Sequence, residues 1–260
     1  MPINLSMKRS DEFLNKCTIE IASFDSFVNP DIDGYVFSEK LLQEKHTYLT
    51  QEYLQNELYP FLAHYCKAKQ SHLVWYKISD FLGPVLKKLS HTENEYCDDE
   101  YYLIDQRGIS RSLNNVDLFI RELQVLTQVH FESPNIAILL PFVRDDEQFE
   151  QCSKLIRKAK FPGKIGVTID LVSTIFVLEK MIDFGVSNVT LNIDNLAVFA
   201  LGAYDVSTYS INHDAVFHYI CQIEEIVKKS NAELNIVGTL SSLDKEKYRT
   251  IPINNYICFE

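Results

Sequence analysis

The sequence predicts an α/β fold built on a parallel sheet, because strand-like and helix-like segments alternate along nearly the whole chain. Most strand-like segments are near-continuous apolar runs, which are typical of strands buried on both faces. In a chain of 260 residues, strand and helix repeating at intervals of roughly 25 to 50 residues favour a (β/α)8 barrel or a doubly wound open sheet. The repeat alone leaves these two architectures open.

The apolar runs predict nine strands, one more than a (β/α)8 barrel holds. In chain order they are 17–24, 34–38, 72–78, 101–104, 136–143, 164–170, 188–194, 234–240 and 255–259. Either the first or the last is surplus, and the pattern does not decide between them.

Between the strands, apolar residues recur at three- and four-residue steps, as on the buried face of a helix. The predicted helices are 40–68, 115–131, 145–159, 172–184 and 212–230. The segment 83–100 is rich in charged and turn-forming residues and predicts a surface loop.

Composition excludes several classes of function. The formal net charge is −11, and the 25 Lys and Arg residues are scattered, so no basic stripe is present to bind nucleic acid. No apolar segment reaches the length of a membrane span, and the polar N-terminus does not resemble a signal peptide. We therefore expect a cytoplasmic protein with a single domain, 1–260, of which 1–16 form an N-terminal extension.

The six cysteines occur singly. No pair of cysteines has the spacing of a zinc site, and neither do the histidines. We interpret the cysteines as buried free thiols and predict no zinc site.

Polar side chains close several of the predicted strands. They are Lys77 and Asp80 after one strand, Arg107 after the next, Asp170 after a third, and Asp194 with Asn195 after a fourth. In a barrel, the carboxyl ends of the strands meet at the active-site mouth. Cations facing oxygen ligands there predict an anionic phosphorylated or carboxylated ligand and a hard divalent ion such as Mg²⁺. The alternative is that these acids cap the following helices and that these bases lie at the solvent-exposed rim. For any one of the residues considered alone, this alternative is favoured.

Taken in order, six segments resemble one family. "YYLIDQRGISRSL" is similar to "NPMLGxRGxxRYL" of phosphoenolpyruvate synthase, pyruvate phosphate dikinase and the first enzyme of the sugar phosphotransferase system. "HLVWYKISDF", "NIAILLPFVRDDEQFEQ", "KIGVTIDLVSTIFVLEKM", "VTLNIDNLAVFALGAYD" and "NHDAVFHYI" follow in the family's order and close to its spacing. The resemblance implies the TIM barrel that binds phosphoenolpyruvate or pyruvate in the C-terminal part of those enzymes.

The resemblance assigns roles to some of the strand-end residues. Arg107 matches a family residue, and Lys77 replaces an arginine that grips phosphate. Asp170 replaces the glutamate that binds Mg²⁺, and the following Asn-Asp pair falls on Ile193-Asp194 or on Asp194-Asn195. We therefore predict Arg107, Lys77, Asp80 and Asn195 as ligand-binding residues and Asp170 and Asp194 as metal ligands. The catalytic residues stay unassigned.

Other family residues are missing. Ser38 and Glu39 stand where the resemblance expects another arginine, and Asp205 stands in place of a cation. Val237 aligns with the acid cysteine and Thr239 with its glutamate, and valine cannot transfer a proton. The family's phosphohistidine and nucleotide-binding domains are not found in these 260 residues.

Two functional hypotheses follow. In the first, the chain is a divergent or pseudoenzymatic barrel that binds phosphoenolpyruvate, pyruvate or another 2-oxo acid with Mg²⁺, its phosphotransfer chemistry lost or altered. In the second, it is an active transferase subunit, kinase-like in its chemistry, whose phosphohistidine is supplied by a partner protein. The sequence does not decide whether the chain is an enzyme. The resemblance also implies a homodimer, since the related enzymes pair through their barrels and the helical faces here are rich in Tyr, Phe and Leu, which could form the same contact.

Overall fold

The computed structural model describes residues 19–25, 28–92, 106–203, 207–239 and 244–258. The chain divides into two compact units. The N-terminal unit contains the described residues between 20 and 165, and the C-terminal unit contains Ile19 and the described residues from 166 to 258. Within each unit, parallel strands alternate with helices, which confirms the predicted α/β class. A single domain and a closed barrel stay predictions.

The strands of the N-terminal unit follow one another in the sheet in chain order. They are β1 (Ile19–Ile21), which begins at the boundary of the unit, β2 (Asp33–Phe37), β3 (Val74–Lys77) and β4 (Ile136–Leu140). β3 pairs in parallel with both β2 and β4. Every residue of β3 and β4 is buried, which explains why these strands are continuous apolar runs in the sequence.

The helices of the N-terminal unit pack around these strands. They are α1 (Ser38–Glu44), α2 (Gln51–Tyr53), a π-helical turn (Leu54–Leu58), α3 (Tyr59–Ala68), α4 (Gly83–Leu86), α5 (Ile109–Asn114), α6 (Val116–Glu132) and α7 (Asp146–Lys158). The prediction of one helix over 40–68 was wrong in detail, since the chain leaves the helical path at His46, whose φ is 53°. The side chain of Thr50 caps the next helix by accepting a hydrogen bond from the Tyr53 amide at 3.0 Å.

The π-helical turn lies just before Pro60. A proline inside an α-helix has no amide hydrogen and clashes with the carbonyl one turn earlier. The wider turn accommodates the ring and lets the helix continue. In the segment predicted as a loop, 83–100, residues 83–86 form α4. Residues 93–100 and the strand predicted at 101–104 lie outside the described residues.

The strands of the C-terminal unit also follow in chain order. They are β5 (Ile165–Ile169), which begins at the boundary of the unit, β6 (Val186–Asn192), β7 (Glu233–Gly238) and β8 (Asn255–Cys258). β7 pairs in parallel with β6 and β8, and its register places Val237 beside Asn192 and Ile257. The first and the last of the predicted strands both belong to the sheet order, so the prediction that one of these two is surplus was wrong.

The helices of the C-terminal unit include several short ones. They are α8 (Val172–Ile175), α9 (Leu178–Asp183), α10 (Ile193–Leu201), α11 (Thr208–Asn212), α12 (Asp214–Val227) and α13 (Lys245–Tyr248). The strand predicted to reach Asp194 ends two residues earlier, because the side chain of Asn192 accepts a hydrogen bond from the Asn195 amide at 3.2 Å and starts α10.

Candidate functional site

Three predicted site residues of the N-terminal unit lie together. Lys77 ends β3, and Asp80 follows three residues later. Arg107 donates a hydrogen bond of 2.9 Å from Nε to Asp80 Oδ1, and Lys77 Nζ lies 3.9 Å from Asp80 Oδ2. The Asp80 carboxylate is almost wholly buried, with a side-chain exposure of 2%. Asp80 therefore pairs with both predicted cations and holds them beside each other.

Glu39 joins this group from the first turn of α1, directly after β2. Its Oε1 atom accepts a hydrogen bond from Lys77 Nζ. Burial raises the pKa of the Glu39 carboxyl, while the positive charge of Lys77 opposes that rise. Among the described residues, no donor reaches the buried Oε2 atom. The position that lacks the expected arginine thus supplies a carboxylate to Lys77.

A second arginine, Arg144, lies beside Arg107. The two guanidinium groups lie 4.5 Å (Arg107) and 5.3 Å (Arg144) from the centre of the Phe142 ring, within the range of cation–π attraction. Arg144 also donates a hydrogen bond to Ser110 Oγ. Phe142 therefore orients two cations that come from different parts of the chain.

Gly108 permits this close approach. Its φ is 57°, and a Cβ atom there would lie 2.4 Å from Phe142 Cβ and 2.6 Å from the Pro141 carbonyl oxygen. Any side chain at this position would push Arg107 away from Phe142. The backbone beside the cations therefore requires a glycine at position 108.

We call Glu39, Lys77, Asp80, Arg107 and Arg144 the N-terminal charge cluster. It brings three cations and two carboxylates together. Such a group can attract a small anion, and arginine can bind a carboxylate in a bidentate manner.

In the C-terminal unit, Asp170 follows β5 directly and is 1% exposed. Asn195 donates a hydrogen bond of 2.6 Å from Nδ2 to Asp170 Oδ1. Thr168 donates from its hydroxyl to Asp170 Oδ2. The predicted residues Asp170 and Asn195 are therefore in direct contact.

Asp194 has partners of its own. It lies in the first turn of α10, and the Thr239 amide lies 3.1 and 3.0 Å from its Oδ1 and Oδ2 atoms. The Thr239 hydroxyl donates to Oδ2 at 2.9 Å. A Cβ atom on Gly238 would lie 2.9 Å from Asp194 Oδ1. Asp194 thus holds the end of β7 from the first turn of α10, two residues after β6 ends.

We call Thr168, Asp170, Asp194, Asn195 and Thr239 the C-terminal acid cluster. Within the residues described, no group of three or more His, Cys, Asp or Glu side chains is placed to hold a metal. Mg²⁺ commonly takes one or two protein carboxylates and keeps several waters. Every carboxylate oxygen here already accepts a hydrogen bond, and each has a second lone pair. The cluster therefore fits only an ion that stays largely hydrated.

The residue aligned with the family's acid cysteine has no proton to give. Val237 lies inside β7 and is 2% exposed. Thr239, aligned with the glutamate, is bound to Asp194. Asp205 lies outside the described residues.

Sequence reasoning missed three parts of these clusters. Arg144 follows the apolar run of β4, so the rule that selected Lys77 would also have selected it. Glu39 was noted only as a replacement for arginine. Thr239 was noted only as the residue aligned with a family glutamate, and the hydroxyl of Thr168 carries no signal in the sequence that distinguishes it from other threonines. The described helices include none that is both long and apolar enough to cross a membrane.

Comparison with known proteins places these observations in a family. The profile described as "PEP-utilising enzyme, PEP-binding domain" matches residues 34–245. A protein named "Probable phosphoenolpyruvate synthase" from Methanocaldococcus jannaschii is 24% identical over 180 residues, which cover 65% of this chain and 15% of that protein. A protein named "Phosphoenolpyruvate-dependent phosphotransferase system" from Salmonella typhimurium is 24% identical over 152 residues, 52% of this chain and 20% of that protein. The chain thus spans a minor part of the length of these relatives.

Solved structures with low sequence identity share the fold. RipC from Yersinia pestis has a TM-score of 0.53 at 8% identity, with 96% of this chain and 91% of that chain covered. An HpcH/HpaI aldolase from Desulfitobacterium hafniense has a TM-score of 0.50 at 11% identity, with 94% and 87% covered. These likenesses confirm the predicted fold class, an α/β fold of the TIM-barrel type. Because the family profile matches most of its length, the chain belongs to the family of PEP-utilising enzymes and corresponds to their PEP-binding domain.

Proposed function

We propose that this protein binds a small carboxylate anion of the phosphoenolpyruvate, pyruvate or 2-oxo acid class through its N-terminal charge cluster. The observation that carries the proposal is the pair of guanidinium groups of Arg107 and Arg144, both held on Phe142. Arg107 shares the buried Asp80 with Lys77. Membership of a family named for binding phosphoenolpyruvate supports this class of ligand.

The charge cluster would act by orienting its ligand. The Asp80 carboxylate accepts a hydrogen bond from Arg107 Nε, and the Phe142 ring, 4.5 Å from the guanidinium carbon, attracts the same group. A cation already held in place loses little conformational freedom when an anion arrives. Since Val237 transfers no proton, we propose that the phosphotransfer chemistry of the family is lost or altered here.

We also propose that the C-terminal acid cluster holds Mg²⁺ through Asp170 and Asp194. Bound there, the ion would supply a positive charge for an anion that approaches the cluster. Thr168 and Asn195 would orient the Asp170 carboxylate by the hydrogen bonds that they donate to it.

A second candidate is an active transferase subunit that receives its phosphohistidine from another protein. The observation that favours it is coverage, because the chain corresponds to only 15% and 20% of two curated relatives. One of these is named for a phosphotransfer system. Exchange of label between pyruvate and phosphoenolpyruvate, measured with a phosphohistidine domain added, would distinguish this candidate from a binding protein.

The binding proposal is tested by thermal unfolding with pyruvate, phosphoenolpyruvate or oxalate, each with and without Mg²⁺. A ligand at about 100 times its Kd stabilises the folded state by about 2.7 kcal/mol, so the melting temperature should rise measurably. Arg107→Gln should weaken binding by at least about tenfold, the loss expected for one charge-assisted hydrogen bond. Arg157→Gln changes the same charge on the exposed side of α7 and should leave binding unchanged. If no anion shifts the wild type, the proposal is wrong.

A further inference from the structure

We propose that Ser110 binds the ligand of the N-terminal charge cluster, by donating its hydroxyl hydrogen to a carboxylate oxygen of the anion held by Arg144. The inference rests on the proposed function, since it concerns the ligand of the same cluster. It also assigns to Gln148 the role of a positioning residue, which fixes the direction of this hydroxyl group. Neither Ser110 nor Gln148 was among the site residues predicted from the sequence.

The hydrogen bonds of Gln148 fix which end of its side-chain amide faces Ser110. Asp145 caps α7 by accepting a hydrogen bond of 2.8 Å from the Gln148 amide, and a glutamine three residues after such a cap commonly accepts a hydrogen bond from the backbone at the helix start. Here Gln148 Oε1 accepts from the Arg144 backbone amide at 3.2 Å. Because a backbone amide can only donate, the oxygen faces Arg144, and Nε2 lies 3.0 Å from Ser110 Oγ.

Both partners of the Ser110 side chain are therefore donors. Arg144 Nη1 donates to Ser110 Oγ, and a guanidinium group carries no acceptor. Gln148 Nε2 donates to the same oxygen. A hydroxyl oxygen accepts two hydrogen bonds and donates one. Within the part of the chain that the structure describes, these are the hydrogen bonds of the Ser110 side chain, and neither of them uses its hydrogen.

A hydroxyl group held in this way is suited to an anion. Its oxygen lies against the positive charge of Arg144, which polarises the O–H bond and makes the hydrogen a better donor. Arg144 Nη1 also donates to the Arg107 carbonyl oxygen at 3.4 Å, and both guanidinium groups lie on the Phe142 ring. A carboxylate that binds Arg144 therefore lies beside the Ser110 hydroxyl, and ionised acceptors form the stronger hydrogen bonds.

Isothermal titration calorimetry with pyruvate and with oxalate tests this inference on the full chain. Ser110→Ala removes the donor and should raise both Kd values by about tenfold, the loss expected for one hydrogen bond to a charged acceptor. Ser110→Thr keeps a hydroxyl group and should stay within about threefold of wild type. Ser112→Ala makes the same change two residues further along α5 and should leave both Kd values unchanged.

Gln148→Glu tests the direction of the hydroxyl group. A carboxylate at this position has no hydrogen to donate, so Ser110 would donate to it instead of to the ligand. Adding Ser110→Ala to Gln148→Glu should then raise the Kd by less than about threefold, against about tenfold in wild type. Gln151→Glu adds the same charge at an exposed position of α7, and the full effect of Ser110→Ala should persist there. An equal effect in all three backgrounds would overturn the role of Gln148.

A crystal structure of the wild-type chain with oxalate or pyruvate tests the contact without any variant. We expect a carboxylate oxygen within about 3.2 Å of Ser110 Oγ. An anion bound to Arg107 or Arg144 with no oxygen near that atom overturns the inference while the proposed function stands. An unchanged Kd in a folded Ser110→Ala variant does the same. If neither anion binds to wild type, the proposed function itself fails, and the inference fails with it.

Discussion

Replacing Glu122 by glutamine should make the protein more stable at alkaline pH and remove much of its pH dependence. Glu122 lies on α6 and is 1% exposed. It accepts a hydrogen bond of 2.7 Å from the Tyr76 hydroxyl on β3. The hydroxyl of Tyr53 is also buried and has no hydrogen-bond partner among the described residues. The carboxyl group is thus surrounded by helix and sheet, away from water.

Burial raises the pKa of Glu122 from 4.5 to about 7, and the charge of Glu39 adds to the rise, while the hydrogen bond from Tyr76 opposes it. As the pH rises from 4.5, the unfolded chain loses this proton before the folded protein does. The stabilisation is therefore complete below pH 4.5 and is lost as the pH rises through about 7.

The size of the effect follows from the two pKa values. With 4.5 for the unfolded chain and about 7 for the folded protein, the free energy of unfolding falls by about 2.5 kcal/mol between about pH 5 and about pH 8. Glutamine does not ionise and can still accept the hydrogen bond from Tyr76. The advantage of Glu122→Gln over wild type should therefore grow by about 2.5 kcal/mol across that range.

Urea unfolding of both proteins at several pH values measures this difference. Glu225→Gln, an exposed position on α12, is the control and should differ from wild type by less than about 0.5 kcal/mol at every pH. If the difference between Glu122→Gln and wild type stays constant within about 0.5 kcal/mol, the carboxyl does not titrate in this range and the reasoning is refuted.

Three more predictions follow from individual contacts. Asp170→Asn should lower the free energy of unfolding by about 1 kcal/mol and Asp170→Ala by about 2 to 3 kcal/mol, because alanine removes the acceptor of the hydrogen bonds that Asn195 and Thr168 donate. If the two variants unfold at the same urea concentration, this prediction is wrong. Lys69→Met should cost about 3 kcal/mol in the same assay, since buried Nζ donates to the carbonyls of residues 29 and 32, whereas exposed Lys67→Met should cost little. Gly108→Ala should cost about 3 kcal/mol and weaken anion binding, as its Cβ would overlap the backbone beside Arg107; unchanged melting would contradict it.

The sequence by itself determined the order of the strands and the places where polar residues follow them. Strands β3 and β4 are buried at every position. Such strands are visible as apolar runs because the side chains on both faces of the strand are shielded from water. Lys77 and Asp170 were found because a charged residue at the end of such a run stands out. The family resemblance depended on the same short segments.

In two regions the hydrophobic period predicted longer elements than the structure contains. The apolar period of 40–68 continues through His46 and Pro60. In the structure the helical path is interrupted at His46, and the helix widens into a π-helical turn just before Pro60. Asn192 ends β6 earlier than the apolar run predicts, because its side chain caps α10. Caps and turns depend on single hydrogen bonds, which a hydrophobic period does not register.

Only the tertiary structure decided which charges face each other. Glu39 and Lys77 are 38 residues apart, Arg107 and Asp80 are 27 apart, and Asp194 and Thr239 are 45 apart. A sequence shows that these groups exist, but whether a cation is balanced depends on the distance to a carboxylate from another strand. For this reason the sequence predicted an anion site at Lys77 and Arg107, while the compensation of that site by Glu39 and Asp80 emerged only when the strands were placed side by side.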